Sequence, residues 1–382
     1  MKSEYSGKVC ESWGMKTKQT PTKIQNTRYL NDTLTQNCES LFKDHLSGSQ
    51  MKLVVLICAG IFLAKSIQLQ DIAQHIPGTQ KLLSIISRIS RFLKNSKIPV
   101  RETYESIIKP ILKSYAKGAH LRLIIDGSKV GFGYQLLVVS LAYKHRAIPL
   151  AWTWIRGKRG HSSAQKQCDL LDYVLTLLPT TAKISLVGDC EFGSVEVIQW
   201  LRSHRWLYVL RQKSSTYYRL SQIGAEWLAL GGLVKVGQKK WLSSVSLTKT
   251  HTQLTHICAI WELGQDEPWL LATNFYCFNV AYSAYKKRMW IEEMFGDLKS
   301  NGSDIESTHL QNEDKLALLT FLVILLYLLL MFKGVRVIKA GLRDWVDHPS
   351  RRDLSIFQIG LRFIKRLDTN QSPFHLSFAF PA

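Results

Sequence analysis

Acidic residues are scarce in this chain: 29 Asp and Glu stand against 50 Lys and Arg over 382 residues, a formal net charge of +21. A globular chain this basic points to a polyanionic partner, nucleic acid first, with a ribosomal or membrane-surface protein as the other readings. Paired cysteines are missing too. The seven, Cys10, Cys38, Cys58, Cys168, Cys190, Cys258 and Cys277, are odd in number and contain no C-x2-C pair. That argues against a disulfide framework and against a structural zinc site, and leaves reduced thiols in a cytoplasm as the expectation. The first residues are polar and mixed in charge, unlike a signal peptide. One long run lacks charge altogether, Leu316 to Phe332, 17 residues at the lower edge of what spans a bilayer. A membrane span and a buried core helix are both open on that run alone.

What is present divides the chain into three. Residues 1 to about 47 are rich in Lys, Thr, Gln and Asn without apolar periodicity, and are expected to form a loose or partly helical arm. From Met51 the pattern is helical. Ile67 to Ile76, closed by Pro77-Gly78, could open a helix-turn-helix whose second helix carries Lys81, Arg88, Arg91 and Lys94, although a plain helical bundle fits as well. Residues 1–118 therefore read as an N-terminal arm and helical DNA-binding domain.

Apolar runs at 121–126, 133–143 and 147–155 then predict three strands, with a short turn at His145-Arg146 making an antiparallel meander. A basic, glycine-containing loop, Arg156 to His161, precedes a helix that Ser162 can cap and that ends before Pro179. A strand over 184–189, a helix over 195–204 and a strand over 206–211 follow. Between 212 and 275 the runs STYYRL, LVKVG, KKWLSSVSLT, THICAIWEL and WLLATNF predict a β-rich insertion, in which Lys235, Lys239, Lys240 and Lys249 suit a DNA-facing surface. The fold class expected is α/β, an RNase H-like mixed five-stranded sheet flanked by helices, over residues 119–334. Residues 335–382 read as a C-terminal helical region with basic amphipathic segments at 335–343 and 354–366.

The chemistry-bearing stretch is Tyr285 to Lys299. On a helix, Tyr285, Arg288, Glu292 and Lys299 fall within roughly 60° of one another, while Trp290, Ile291, Met294 and Leu298 lie opposite. Glu293 points elsewhere, so Glu292 is the carboxylate of the set. Two other apolar runs end in aspartate: Leu121 to Asp126, followed by Gly127, and Ile184 to Asp189, followed shortly by Gly193. Two strand-end aspartates and a helix-borne glutamate could hold two divalent metals, which need hard oxygen ligands, with Arg288 and Lys299 holding an anionic substrate against them.

The spacing Y-x2-R-x3-E-x6-K at Tyr285, Arg288, Glu292 and Lys299 resembles the YREK signature of DDE transposases from bacterial insertion sequences of the IS-four type. Ile125-Asp126-Gly127-Ser128 and Gly188-Asp189-Cys190-Glu191-Phe192-Gly193-Ser194 resemble the first and second aspartate motifs of that family. The resemblance covers about residues 120 to 365. It implies an RNase H-like core, Asp126, Asp189 and Glu292 as catalytic and metal-binding residues, and Mg²⁺ as cofactor, with Mn²⁺ able to substitute. It also implies DNA contacts from Tyr285, Arg288 and Lys299, and a Trp269 that stacks on a base extruded from the DNA end. Double-stranded DNA, at element ends and target, would be the partner, bound by a homodimer in a synaptic complex, in the nucleoid rather than at a membrane. Two neighbouring readings stay open: a metal-dependent nuclease on the same fold, and a catalytically silent DNA-binding descendant. A protein spanning the membrane at 316–332 would leave the aligned polar face without a purpose.

Overall fold

The computed structural model describes residues 28–115, 120–130, 133–157, 162–370 and 372–381. The first 27 residues of the expected arm, and the basic loop from residue 158 to 161, lie outside them. The chain divides into two compact units: one of 1–114, 130–132 and 296–382, the other of 115–129 and 133–295.

The second unit is built on a mixed sheet in the order β3-β2-β1-β4-β5-β10-β9-β8-β6-β7. Its first half is β1 (Leu121–Val130), β2 (Tyr134–Tyr143), β3 (Arg146–Arg156), β4 (Ile184–Gly188) and β5 (Leu207–Arg211). β2 and β3 are antiparallel, whereas β1, β4 and β5 run parallel, the arrangement expected of an RNase H-like core. The turn between β2 and β3 is Lys144-His145, one residue earlier than expected. Both residues have positive φ, 45° and 61°, as a two-residue hairpin turn matching strand twist requires. Every residue of β2 is buried, which is why its apolar run shows no alternation.

The insertion strands do not form a separate layer. β10 (Trp269–Thr273) pairs antiparallel with β5, and through β9 (Gln253–Ile260), β8 (Lys239–Leu247), β6 (Tyr217–Arg219) and β7 (Leu228–Ala229) the same sheet grows to ten strands. The run Leu233 to Gly237 is not a strand: Leu233 and Val234 are buried in irregular chain before a turn at 236–237, and the short strand lies earlier, at Leu228–Ala229.

In chain order the helices are α1 (Arg28–Phe42), α2 (Gly48–Ala64), α3 (Leu69–Gln74), α4 (Leu82–Leu93), α5 (Val100–Tyr115), α6 (Ala164–Leu177), α7 (Val195–Ser203), α8 (Phe278–Lys286), α9 (Met289–Leu298), α10 (Glu313–Lys339) and α11 (Ile356–Thr369). Within the second unit α6 packs on β2 and β3, α7 on β5 and β9, and α8 on β4, β5 and β9. Ser163, not Ser162, caps α6, accepting from the Lys166 N–H at 3.4 Å.

In the first unit the apolar run belongs to a single 27-residue helix, α10, which continues through Gly334 to Lys339. It is long and apolar enough to cross a membrane, yet 89% of its most apolar window is buried inside the protein. Within the first unit it packs against the helices α11, α2 and α4. A helix apolar on all sides needs partners all round, so residues 296–334 group with the N-terminal helices rather than with the sheet. Gly334 and Gly360 make the α10–α11 approach possible. A Cβ on Gly334 would sit 1.7 Å from the Ile356 carbonyl oxygen, and one on Gly360 1.9 Å from that of Leu330.

The arm is helical at α1, as its partly helical alternative allowed, but it is packed and has an apolar periodicity that the sequence reading did not find. Leu30, Leu34, Cys38 and Phe42 recur every fourth residue and are all buried. One apolar residue per turn is a narrow stripe, easily lost among Asn, Thr and Gln. Two of those polar residues have partners: Thr33 Oγ1 donates to the Phe374 carbonyl at 2.8 Å and Asn37 Nδ2 to that of Leu376 at 2.9 Å. From α10, Lys333 Nζ reaches the His375 carbonyl at 3.1 Å and Arg336 that of Ser377 at 3.0 Å. An extended C-terminal segment is thereby strapped between α1 and α10 by side-chain donors, with Phe374, Leu376 and Phe378 buried.

Candidate active site

Parallel pairing of β1 with β4 sets the site. Ile125 lies opposite Gly188, so the next residues lie side by side: Asp189 just past the end of β4, and Asp126 within β1, which continues to Val130 instead of ending at Asp126 as expected. Gly188 allows this closeness, because a Cβ there would meet Ile125 Cγ2 at 2.9 Å and Phe192 Cβ at 3.0 Å. Asp126 is 1% exposed, and its Oδ1 accepts the Gly127 N–H at 2.8 Å. Asp189 Oδ1 accepts the Glu191 N–H at 2.8 Å, capping the single 3₁₀ turn Cys190–Phe192. Burial, then the charge of Asp189, pushes the Asp126 carboxyl up to about 7, against the pull of Arg288.

The stretch 285–299 is not one helix. α8 ends at Lys286, and the bonds Lys287 N–Ala284 O, Arg288 N–Tyr285 O, Trp290 N–Lys287 O and Ile291 N–Arg288 O close three residues back instead of four. This tightened turn rotates α9 relative to the expectation of a uniform 100° per residue. Arg288 sits at that junction. Its guanidinium donates to Asp126 Oδ2 at 3.3 Å and to Glu292 Oε1 at 2.5 Å, so one cation spans two carboxylates borne by different elements. Burial works against its charge, but Tyr285, Glu292 and Asp126 together hold it more firmly protonated than usual. Glu293 is the more exposed neighbour and pairs with Arg146 at 3.2 Å.

Tyr285 is 2% exposed, packed edge-on to Trp269 with centroids 5.0 Å apart, and burial pushes its phenol well above the usual range. Trp269 is half-buried against Tyr285 and Tyr282. Lys299 opens a π-helical turn, Lys299–Ser303, which belongs to the first unit, and there it pairs with Glu306 at 2.5 Å. Cys190 is half-buried, and burial pushes its thiol up.

A network that sequence reasoning missed supports both aspartates. The Glu191 carboxylate accepts from Gln135 Nε2 at 3.1 and 3.0 Å, from the Ser162 N–H at 2.9 Å and from the Ser162 hydroxyl. Gln135 in turn fills the space beside Gly127, where a Cβ would lie 2.0 Å from its Nε2. The available signal was a lone glutamine at the start of the apolar run of β2, which the structure buries fully.

As a metal site, Asp126 and Asp189 fit a divalent cation in donor chemistry and in charge, since a buried carboxylate beside a half-buried one is what such an ion relieves. Glu292 does not complete the set in this arrangement, because it is held on Arg288. Among the described residues no group of three or more His, Cys, Asp or Glu side chains is spaced to hold a metal ion.

No curated protein sequence matches the chain. A solved structure described as a piggyBac transposase synaptic complex with hairpin DNA is similar at a TM-score of 0.44 and 9% identity, over 93% of this chain and 83% of that one. Residues 157–329, which include Asp189 and Glu292 and follow Asp126, match the family model described as the transposase DDE domain.

Proposed function

We propose that this protein is a DNA transposase of the bacterial insertion-sequence, YREK-bearing type, which cleaves DNA at element ends and joins those ends to target DNA. The observation that carries the reading is the placing of Asp126, within β1, beside Asp189, just past the end of the parallel strand β4, with Arg288 linking Asp126 to Glu292. The DDE-domain match over 157–329 supports it, as does the charge of +21.

Asp126 and Asp189 would hold the metal, Mg²⁺ by expectation, and Glu292 would join them on leaving Arg288. Divalent ions bound there would supply Lewis-acid activation of the attacking hydroxyl and stabilisation of the leaving oxygen. The protein's own residues do the rest. Arg288, once free of Glu292, presents a guanidinium fork to a phosphate beside Asp126. Tyr285 lies under that guanidinium, 6.0 Å from its carbon to the ring centroid, and fixes where it can swing. Glu191, through Gln135 and Ser162, holds the two aspartate-bearing segments in register. Trp269, Lys299 and the homodimer are assigned to DNA end binding and synapsis by resemblance, in a nucleoid setting.

The test is cleavage of duplex DNA carrying the flanking ends of the source element by purified protein with Mg²⁺, beside Asp126→Ala, Asp189→Ala and Glu292→Ala. Cuts at the element ends that vanish in each variant while DNA binding persists support the reading. End-specific binding without cleavage, even with Mn²⁺, moves the assignment to a silent DNA-binding protein. Cutting without end specificity moves it to a nuclease.

A further inference from the structure

The far end of the sheet carries a second grouping of cations and aromatic rings. Tyr218 lies opposite Leu228 on β7 and Leu247 on β8, while Tyr217 lies opposite Ala229 and Arg219 opposite Ser246. Side chains alternate along a strand, so Tyr217 and Arg219 share one face and Tyr218 takes the other. Tyr218 is accordingly 5% exposed and Tyr217 42%. Continuing the register by one residue brings Trp227 across from Arg219, and Thr248, next to Lys249, across from Tyr217.

On that exposed face each cation is held against a ring. Lys249 Nζ lies 3.9 Å from the Tyr217 centroid, and the Arg219 guanidinium carbon lies 4.9 Å from the Trp227 ring. Among the described residues neither cation forms an ion pair or a side-chain hydrogen bond. Exposed lysines and arginines ordinarily sample many rotamers. Contact with an aromatic ring narrows that range and leaves the charge unneutralised. A guanidinium lying against an indole keeps its fork of N–H donors free for a planar or tetrahedral anion. Two preset, unpaired cations on one face of a chain with net charge +21 fit an extended polyanion.

We propose that Tyr217, Arg219, Trp227 and Lys249 form a binding site for the phosphodiester backbone of DNA, separate from the Asp126–Asp189 site. This rests on the DNA-directed function proposed above. β4 and β6 are five steps apart in the sheet order, about 24 Å at the usual strand spacing of about 4.8 Å. The face would therefore grip DNA about seven base pairs from the reacting bond, at about 3.4 Å per pair. It is an anchor, indifferent to sequence, that holds the duplex while chemistry proceeds elsewhere.

The test is binding of the full chain to a labelled duplex in EDTA, titrated across salt concentrations. Arg219→Ala with Lys249→Ala is expected to lower the slope of log affinity against log salt by about two, one for each lost phosphate contact. Arg219→Gln with Lys249→Gln, which keeps the aliphatic stems, is expected to do the same at an unchanged thermal midpoint. Tyr217→Ala with Trp227→Ala should weaken binding several-fold with the slope kept, because the charges remain but lose their placement. A charge-removing variant that matches wild type in affinity and slope overturns this site and leaves the proposed function standing. A wild type that binds no duplex at any salt overturns both.

Discussion

Arg288 lies between Asp126 and Glu292, 3.3 Å from the first carboxylate and 2.5 Å from the second. The Asp126 side chain is 2% exposed and that of Glu292 37%, so the guanidinium connects a buried acid to one at the surface.

Removing that cation should be felt in stability. Arg288→Ala leaves the Asp126 carboxylate buried without compensation, and is expected to destabilise by about 1–3 kcal/mol near pH 8, partly relieved by protonation. Adding Asp126→Asn in the same protein should recover most of the loss. Urea unfolding of the two single variants and the double one measures this coupling, and strictly additive losses would show that the pair does not interact.

Metal binding should be visible without any chemistry. A divalent ion that binds the folded protein raises its thermal midpoint, by an amount equivalent to about 2.7 kcal/mol at a hundred times the dissociation constant. Mg²⁺ or Mn²⁺ is expected to raise the midpoint of wild type and of Glu293→Gln, but not of Asp126→Asn or Asp189→Asn. An equal rise in all four would place the ion elsewhere.

The α10–α11 contact tolerates no side chain at two positions. Gly334→Ala and Gly360→Ala each drive a methyl into a backbone carbonyl of the facing helix, and each is expected to destabilise by about 2 kcal/mol or more. Gly48→Ala, where a Cβ meets nothing within 4 Å, is the control and should change little. Thermal melts of the three variants decide the point.

Lys333 gives a pH dependence with a definite sign. It is 1% exposed, and burial, then the charge of Arg336, pulls its ammonium down to about 8 from the usual 10.5. Its folded pKa is below its unfolded one, so its charge opposes folding below about 8, and that penalty is relieved as pH rises toward 10.5. The stability difference between Lys333→Met and wild type should therefore move in favour of wild type between pH 8 and 10.5. A difference that stays flat over that window would contradict the shift.

The sequence by itself determined the parts whose signal is local. An apolar run ending in Asp-Gly, or in Asp-Cys-Glu-Phe-Gly, reads as a strand delivering an acid whatever surrounds it; Asp189 does follow the end of β4, whereas β1 runs on past Asp126 to Val130. The choice of Glu292 over Glu293 followed from helical spacing, and in the structure it is Glu292 that shares Arg288 with Asp126, while Glu293 pairs with Arg146.

Tertiary structure alone decided the rest, because it concerns groups distant in sequence. Nothing local says that Arg288 bridges two acids, since Asp126 lies 162 positions away. Nothing in α1 says that Thr33 and Asn37 will hold carbonyls more than 300 positions downstream. The 17-residue apolar run could not declare whether lipid or protein would surround it, since both present the same apolar surface; the packing of α2, α4 and α11 against it gave the answer. The break in the stretch 285–299 falls where no glycine or proline announces it, and the insertion strands could not reveal which edge they would extend. Strand pairing is chosen by the whole sheet, and a charge finds its partner only once the chain has brought the two together.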